Sequence, residues 1–366
     1  MSNSTIEKID KNLAIAKSID ENGLTFYDPE EAPFKIYGVF REGDNFVRLP
    51  AEIAKTVNRK VAILYRHTAG GRLKFKTDST TLAIKVQMSD INLFSHMPAI
   101  GSAGFDVYEN DEEYGDVYVT TFKPPLDITD SFEAKAVIGS KKMRDLTVSF
   151  PLYSGVTKLL IGLDSDAKIE RAESYSNSKP VVFYGSSITQ GACATKPSDS
   201  YESIISRRFN LDYINLGFAG SACAEENIYN YINTLDMSIF VYDYDHNAKD
   251  PAHLEATHER MFLAIREKHP TLPIIMMSRP RYLVNDDTQQ RLNIIKKTYQ
   301  NALARGDENV YLLTGRDLMK ICKADGMADN AHPTSLGFFS MATSVGNVIE
   351  EIIKKNPEIM DYNKDR

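Results

Sequence analysis

Three residues of this chain combine into one chemistry: Ser187, Asp329 and His332. Ser187 lies in Gly185-Ser186-Ser187-Ile188-Thr189-Gln190-Gly191, directly after the apolar run Val181-Val182-Phe183-Tyr184. That run reads as a buried strand, because β-branched and aromatic residues follow Pro180 with no polar break. A serine on the turn that leaves such a strand holds its hydroxyl clear of the fold. On its own it would be only a helix cap. Asp329-Asn330-Ala331-His332-Pro333 supplies what it lacks. Across one turn the carboxylate accepts a hydrogen bond from the imidazole, fixes its tautomer and stabilises the cation formed when it takes a serine proton. Asp243/His246 and Asp250/His253 share the three-residue spacing, so spacing alone does not select a pair. Position does. Asp329 and His332 stand between the last expected strand and the last expected helix, whereas Asp250-Pro251 reads as a helix start with Asp250 as its cap.

Donors for an oxyanion are expected at two further strand ends. Asn215-Leu216-Gly217-Phe218-Ala219-Gly220-Ser221 carries two glycines in four residues, which lets the backbone turn tightly and aim the Gly220 N–H at a ligand. Asp243-Tyr244-Asp245-His246-Asn247 is a polar cluster at the end of a buried run, and Asn247 offers a neutral side-chain donor. The backbone N–H groups of Ser187 and Gly220 and the Asn247 side chain form the expected oxyanion hole.

These residues need an open sheet to bring them to one edge. Strands are expected at Val181–Tyr184, Asp212–Asn215, Ser238–Tyr242, Pro273–Ser278 and Asn309–Leu313. Helices are expected near Tyr201–Phe209, Ala224–Asn233, Ala252–Lys268, Asp287–Ala304 and Ser335–Lys354. In the last of these, Leu336, Phe339, Ala342, Val345, Ile349 and Ile352 recur at helical steps and predict one apolar face, with Thr334 or Ser335 as cap. Strands alternating with helices predict a parallel sheet of about five strands covered on both faces, with ligands at the strands' carboxyl ends.

Before Ser174-Tyr175-Ser176-Asn177-Ser178-Lys179-Pro180, a polar stretch with the composition of a linker, the pattern is different. Short strand-like runs at Phe34–Phe40, Val61–Tyr65, Leu73–Lys76, Leu82–Val86, Val117–Thr121, Asp145–Phe150 and Lys158–Ile161 predict a β-sandwich or jelly roll. The expected organisation is a β-rich domain over residues 1–175 and an α/β domain over 180–360.

Composition excludes several classes. Of 366 residues, 42% are hydrophobic and 25% charged, as in a soluble globular protein. A net charge of −7 argues against a nucleic-acid partner. No apolar run reaches the ~18 residues of a membrane span, and the mixed-charge start lacks a signal-like core, so a cytoplasmic location is expected. Cys193, Cys223 and Cys322 are odd in number and read as reduced, inert thiols. No Cys/His cluster has zinc-ligand spacing, and neither a metal nor an organic cofactor is expected.

These blocks resemble the SGNH hydrolase (GDSL esterase/lipase) superfamily, with its flavodoxin-like three-layer fold. Gly185 to Gly191 is similar to its first block, which implies that Ser187 is the nucleophile. The family's Asp before the nucleophile is Ser186 here. Gly220 matches the oxyanion glycine, and Asp329-x-x-His332-Pro333 the last block. Asn247 matches the oxyanion asparagine, with Asp245 the other residue that fits the third-block position. Gly104-Phe105-Asp106-Val107-Tyr108 resembles the Gly-x-Asp-Leu-Tyr motif of a β-rich domain found ahead of some bacterial members, although by itself it also reads as a turn with a packed Tyr. Arg72 to Ser79 fits the same subfamily. The resemblance implies a serine esterase acting on short acyl esters, often acetyl groups on carbohydrates, so the expected partner is a small-molecule or oligosaccharide ester. The alternatives are an acylhydrolase of lipase or thioesterase type, a sugar-binding protein with a relic triad, and a phosphate or flavin cradle. The cradle leaves Asp329 and His332 without a role.

Overall fold

The computed structural model describes residues 9–10, 14–16 and 18–360. Residues 24–170 form two antiparallel sheets laid face to face, with a small two-stranded pair, Phe40–Glu42 and Asn45–Val47, beside them. One has the order Leu24–Tyr27, Gly155–Asp164, Thr81–Ser89, Ser131–Val137. The other has the order Ile169–Glu170, Arg72–Thr77, Arg144–Ser149, Phe105–Asp111, Gly115–Phe122, with Lys35–Tyr37 also paired to Arg72–Thr77. Leu82, Ile84 and Val86 of the first sheet meet Leu73, Phe75, Leu146 and Val148 of the second in a closed apolar core. Lys85, between two of these residues, points away and pairs with Glu21, as the two-residue period of a strand requires.

Residues 181–313 form a five-stranded parallel sheet in the order Tyr213–Gly217, Val181–Gly185, Ile239–Asp243, Ile274–Met277, Val310–Leu313. Val181–Gly185 and Ile239–Asp243 are buried at every position, which is why they read as unbroken apolar runs. Alternate side chains feed two cores. Val181, Phe183, Ile239 and Val241 face the helices Tyr201–Phe209 and Ser335–Lys355. Val182, Tyr184, Phe240 and Tyr242 face Glu226–Ile232, Pro251–Lys268 and Asp286–Ala304. Strand order reverses beside Val181–Gly185, and Ser187 emerges at its carboxyl end, the position where open α/β sheets bind ligands.

Three expectations need correction. Val61–Leu64 is a helical turn, not a strand: the Asn58 side chain accepts from the N–H groups of Lys60 and Val61 and nucleates it. Gly104–Tyr108 is no turn, since Phe105–Asp111 is a central strand of the second antiparallel sheet. In the last helix the buried face is rotated. Phe338, Met341, Ala342, Val345, Ile349 and Ile352 are buried, whereas Leu336 and Phe339 are 48% and 53% exposed. The first turn of this helix lies at the rim of the molecule, where the i, i+3 rule does not determine what it packs against. Thr334 caps it, accepting from the Gly337 N–H.

Candidate active site

The turn after the first parallel strand presents Ser187 at the start of a one-turn helix, Ser187–Gln190. Ser186, fully buried, caps that helix by accepting from the Ile188 N–H at 3.2 Å, while its own N–H donates to the Asp243 carbonyl at 3.0 Å. A serine thus does the local capping where the family has an acid. The Ser187 Oγ lies 2.9 Å from His332 Nε2. On the ring's other side, His332 Nδ1 is 2.8 Å from Asp329 Oδ2. Asp329 Oδ1 also accepts from the N–H groups of Ala331 and His332, so one carboxylate both folds the loop and orients the ring. Burial alone would raise this carboxyl, but the bonds from the His332 ring and from the two backbone N–H groups outweigh it and hold it at about 2. The loop is closed by the Ala328 N–H donating to the His332 carbonyl and by a bridge between Met327 and Pro333.

The two other pairs with the same spacing do not form. Asp250 caps its helix by accepting from the His253 N–H. Asp243 is fully buried, and among the described residues its carboxylate has no hydrogen-bond partner; burial, with Asp245 beside it, raises it well above the usual range. Burial, then Arg279, Arg281 and His332, pushes His246 down to about 3, so a neutral ring stands beside His332.

The Gly220 loop runs alongside the nucleophile turn, because the Phe218 N–H donates to the Gly185 carbonyl at 2.9 Å. Gly220 has φ +62°, a region glycine enters without steric penalty. Among the described residues neither the Ser187 nor the Gly220 N–H donates to a protein acceptor, so both are available to a ligand. Asn247 Nδ2 donates to the Phe218 carbonyl at 3.0 Å, which holds the amide against the same loop. Asp245 is an acceptor committed to Arg279, at 2.6 Å from its Nε, and cannot donate to an oxyanion.

Three residues that support this site were given no role from sequence: Arg48 and Tyr153, from the chain before the parallel sheet, and Gln190, from the nucleophile turn itself. Arg48 is buried and donates to the carbonyls of His67, Leu64, Asn215 and Gly217, the last two in the segment leading to Gly220. Gln190 Oε1 accepts from the Ala219 N–H, and its Nε2 donates to the Leu152 carbonyl and lies 3.0 Å from His67 Nδ1. The Tyr153 hydroxyl donates to the Ser187 carbonyl at 3.1 Å. The one signal in the chain was a charge inside the apolar run Phe46-Val47-Arg48-Leu49. No Cys/His cluster has zinc-ligand spacing along the sequence, but in space His96, Cys193 and His332 bring ligand atoms within 4.8 Å of one another. Their sequence separation hid this from a spacing argument.

Two family models match. Residues 178–350 match the GDSL-like lipase/acylhydrolase family, and residues 24–169 match the N-terminus of esterases of SGNH-hydrolase type. No curated protein matches the chain. Among solved structures, a putative GDSL-like lipase from Bacteroides ovatus ATCC 8483 is 24% identical over 90% of this chain and 98% of its own, with a TM-score of 0.81. The salicylyl-acyltransferase SsfX3 from a tetracycline biosynthetic pathway is 20% identical, over 92% and 99%, with a TM-score of 0.72. An acetyl xylan esterase, Est2A, from the rumen bacterium Butyrivibrio proteoclasticus is 13% identical, over 90% and 99%, with a TM-score of 0.56. At these identities the likeness is one of fold.

Proposed function

We propose, for a chain that belongs to the GDSL-like lipase/acylhydrolase family and carries the N-terminal region of SGNH-type esterases, that it is a serine esterase of short acyl esters. The observation that carries this reading is the continuous chain of hydrogen bonds from Ser187 Oγ to His332 to Asp329, at 2.9 and 2.8 Å. In this mechanism Ser187 attacks the ester carbonyl as His332 Nε2 takes its proton, and Asp329 stabilises the resulting imidazolium. The oxyanion is met by the N–H groups of Ser187 and Gly220 and by the Asn247 amide. His332 then returns the proton to the leaving alkoxide, and a water activated by the same ring releases the acid.

O-acetyl groups on carbohydrates are the proposed substrates. The fold shared with an acetyl xylan esterase supports this choice, as does the contribution of two sheet systems to one site. The proposal includes the division into domains 1–175 and 180–360, supported by the absence of any strand pairing between the antiparallel and parallel sheets among the described residues. It also includes a cytoplasmic location, supported by three free thiols. Ser187→Ala and His332→Ala test the mechanism with a short aryl acetate. Each should lower kcat by about 10⁴-fold or more, and wild-type turnover in either sinks it. Release of acetate from acetylated oligosaccharides, followed by mass, tests the substrate class.

A further inference from the structure

His96 comes from the loop before the short helix Ala99–Ala103, Cys193 from the segment after the nucleophile turn, and His332 from the last loop. No sequence motif links them, yet their ligand atoms lie within 4.8 Å of one another and the His96 and His332 rings are 5.7 Å apart. Two imidazoles and a thiol make a borderline-soft donor set, which suits Zn²⁺ far better than Mg²⁺ or Ca²⁺. From the usual bond lengths, a tetrahedral zinc ion needs its ligand atoms about 3.3–3.5 Å apart. The longest separation can therefore exceed this by about 1.3–1.5 Å, and His96, whose side chain is exposed, is free to move to close it.

We infer that His96, Cys193 and His332 form a binding site for a borderline-soft divalent cation such as Zn²⁺, and that its occupation shuts the esterase off. The inhibitory half rests on the proposed function; the site itself does not. His332 uses Nε2 toward Ser187 and Nδ1 toward Asp329. Whichever nitrogen the ion takes, one link of the Ser187–His332–Asp329 chain is lost. The ion replaces the thiol proton of Cys193, which leaves to solvent, and the fourth position stays with water. The fold would thus make hydrolysis conditional on low free zinc. The sandwich would act in that control through His96, with Cys193 outside the proton relay.

The test titrates the full chain with ZnCl₂ and CoCl₂, alongside His96→Ala and Cys193→Ser. One Co²⁺ per chain should bind with a sulfur-to-cobalt charge-transfer band that Cys193→Ser loses. Zn²⁺ should abolish turnover of an aryl acetate, reversibly with EDTA. The inhibition constant should rise at least about tenfold in each variant, each measured against its own metal-free rate, since even outer-shell changes weaken metal sites by about 10–100-fold. An unchanged inhibition constant in either variant, or a cobalt complex without the band, overturns the inference. If the metal-free chain hydrolyses no ester, the proposed function fails, while the cobalt spectrum still decides the site.

Discussion

Asp329 is the residue on which the proposed proton relay depends most visibly. Its carboxyl accepts three hydrogen bonds, one of them from the His332 ring. Because these hold it at about 2, below its ordinary 3.8, their stabilising effect is fully present above the ordinary value and is lost as pH falls through about 2. In His332→Ala one bond is gone, and the Asp329 titration followed by NMR should move up toward 3.8. Asp329→Asn keeps the loop's acceptor but removes the charge that favours the imidazolium. Turnover of an aryl acetate should fall about 10²–10⁴-fold. Full activity in that variant would leave Ser187 and His332 in place and remove only the third role. Ser187, Asp329 and His332 could be picked as candidates from sequence because Ser187 follows a strand, and Asp329 and His332 precede a helix, whose periodicity is strong. Gly220 was legible because two glycines in four residues mark a tight turn. Arg48 and Gln190 were not, since a polar side chain gives no local sign of the distant carbonyl or amide it will meet.

At the scale of elements, the Gly220 loop is held from beneath by Arg48, which reaches it from the segment between the strand Asn45–Val47 and the helix Ala51–Val57. Burial pushes this guanidinium down to about 9, and it remains a cation at neutral pH. Arg48→Met would strand the carbonyls of His67, Leu64, Asn215 and Gly217 in a buried place. Denaturant unfolding should show a loss of at least about 3 kcal/mol, since each unsatisfied buried group costs about 1–3 kcal/mol. A second element-level device is His258, between the helices Pro251–Lys268 and Asp286–Ala304, where its Nδ1 lies 2.9 Å from Thr298 Oγ1. Burial pushes this ring down to about 3. The unfolded chain therefore takes up a proton near pH 6.5 that the folded chain refuses. The stability involved is complete above 6.5 and falls as pH drops toward 3, by up to about 1.4 kcal/mol per pH unit. His258→Gln should flatten that part of the profile of melting temperature against pH. The helices and strands of residues 181–355 were readable to within a few residues, because strands buried on both faces and helices with one apolar stripe leave distinct periods. Val61–Leu64 was misread because Asn58 capping, and not the propensity of Val and Ile, decides that turn.

Across the whole molecule, the sandwich is joined to the parallel sheet through buried polar contacts. Asp106 in the strand Phe105–Asp111 is fully buried and accepts from the Ser198 N–H and hydroxyl, just past the nucleophile segment. Arg72 donates to Asp212 and to the Tyr213 carbonyl, with its guanidinium over the Tyr213 ring at 3.8 Å. Asp106→Leu should cost about 1–3 kcal/mol by orphaning Ser198. The same change should lower aryl acetate turnover, because Pro197–Asp199 leads into the helix Tyr201–Phe209 beneath the site. A variant as stable as the wild type would show that this junction is held elsewhere.

From the sequence alone came a β-rich first part, a five-stranded parallel sheet, a serine, a glycine and an asparagine beyond its strand ends, and an Asp–His pair ahead of its last helix. These follow from local periods and turn chemistry, which neighbouring residues carry between them. Only the tertiary structure decided that Ser187 meets His332 across 145 positions, that Arg48 and Gln190 brace the Gly220 loop, and that His96 and Cys193 gather at the same histidine. Such meetings depend on strand order and on how two sheet systems pack. No local pattern encodes them, because the energy that selects them comes from burying both partners at once.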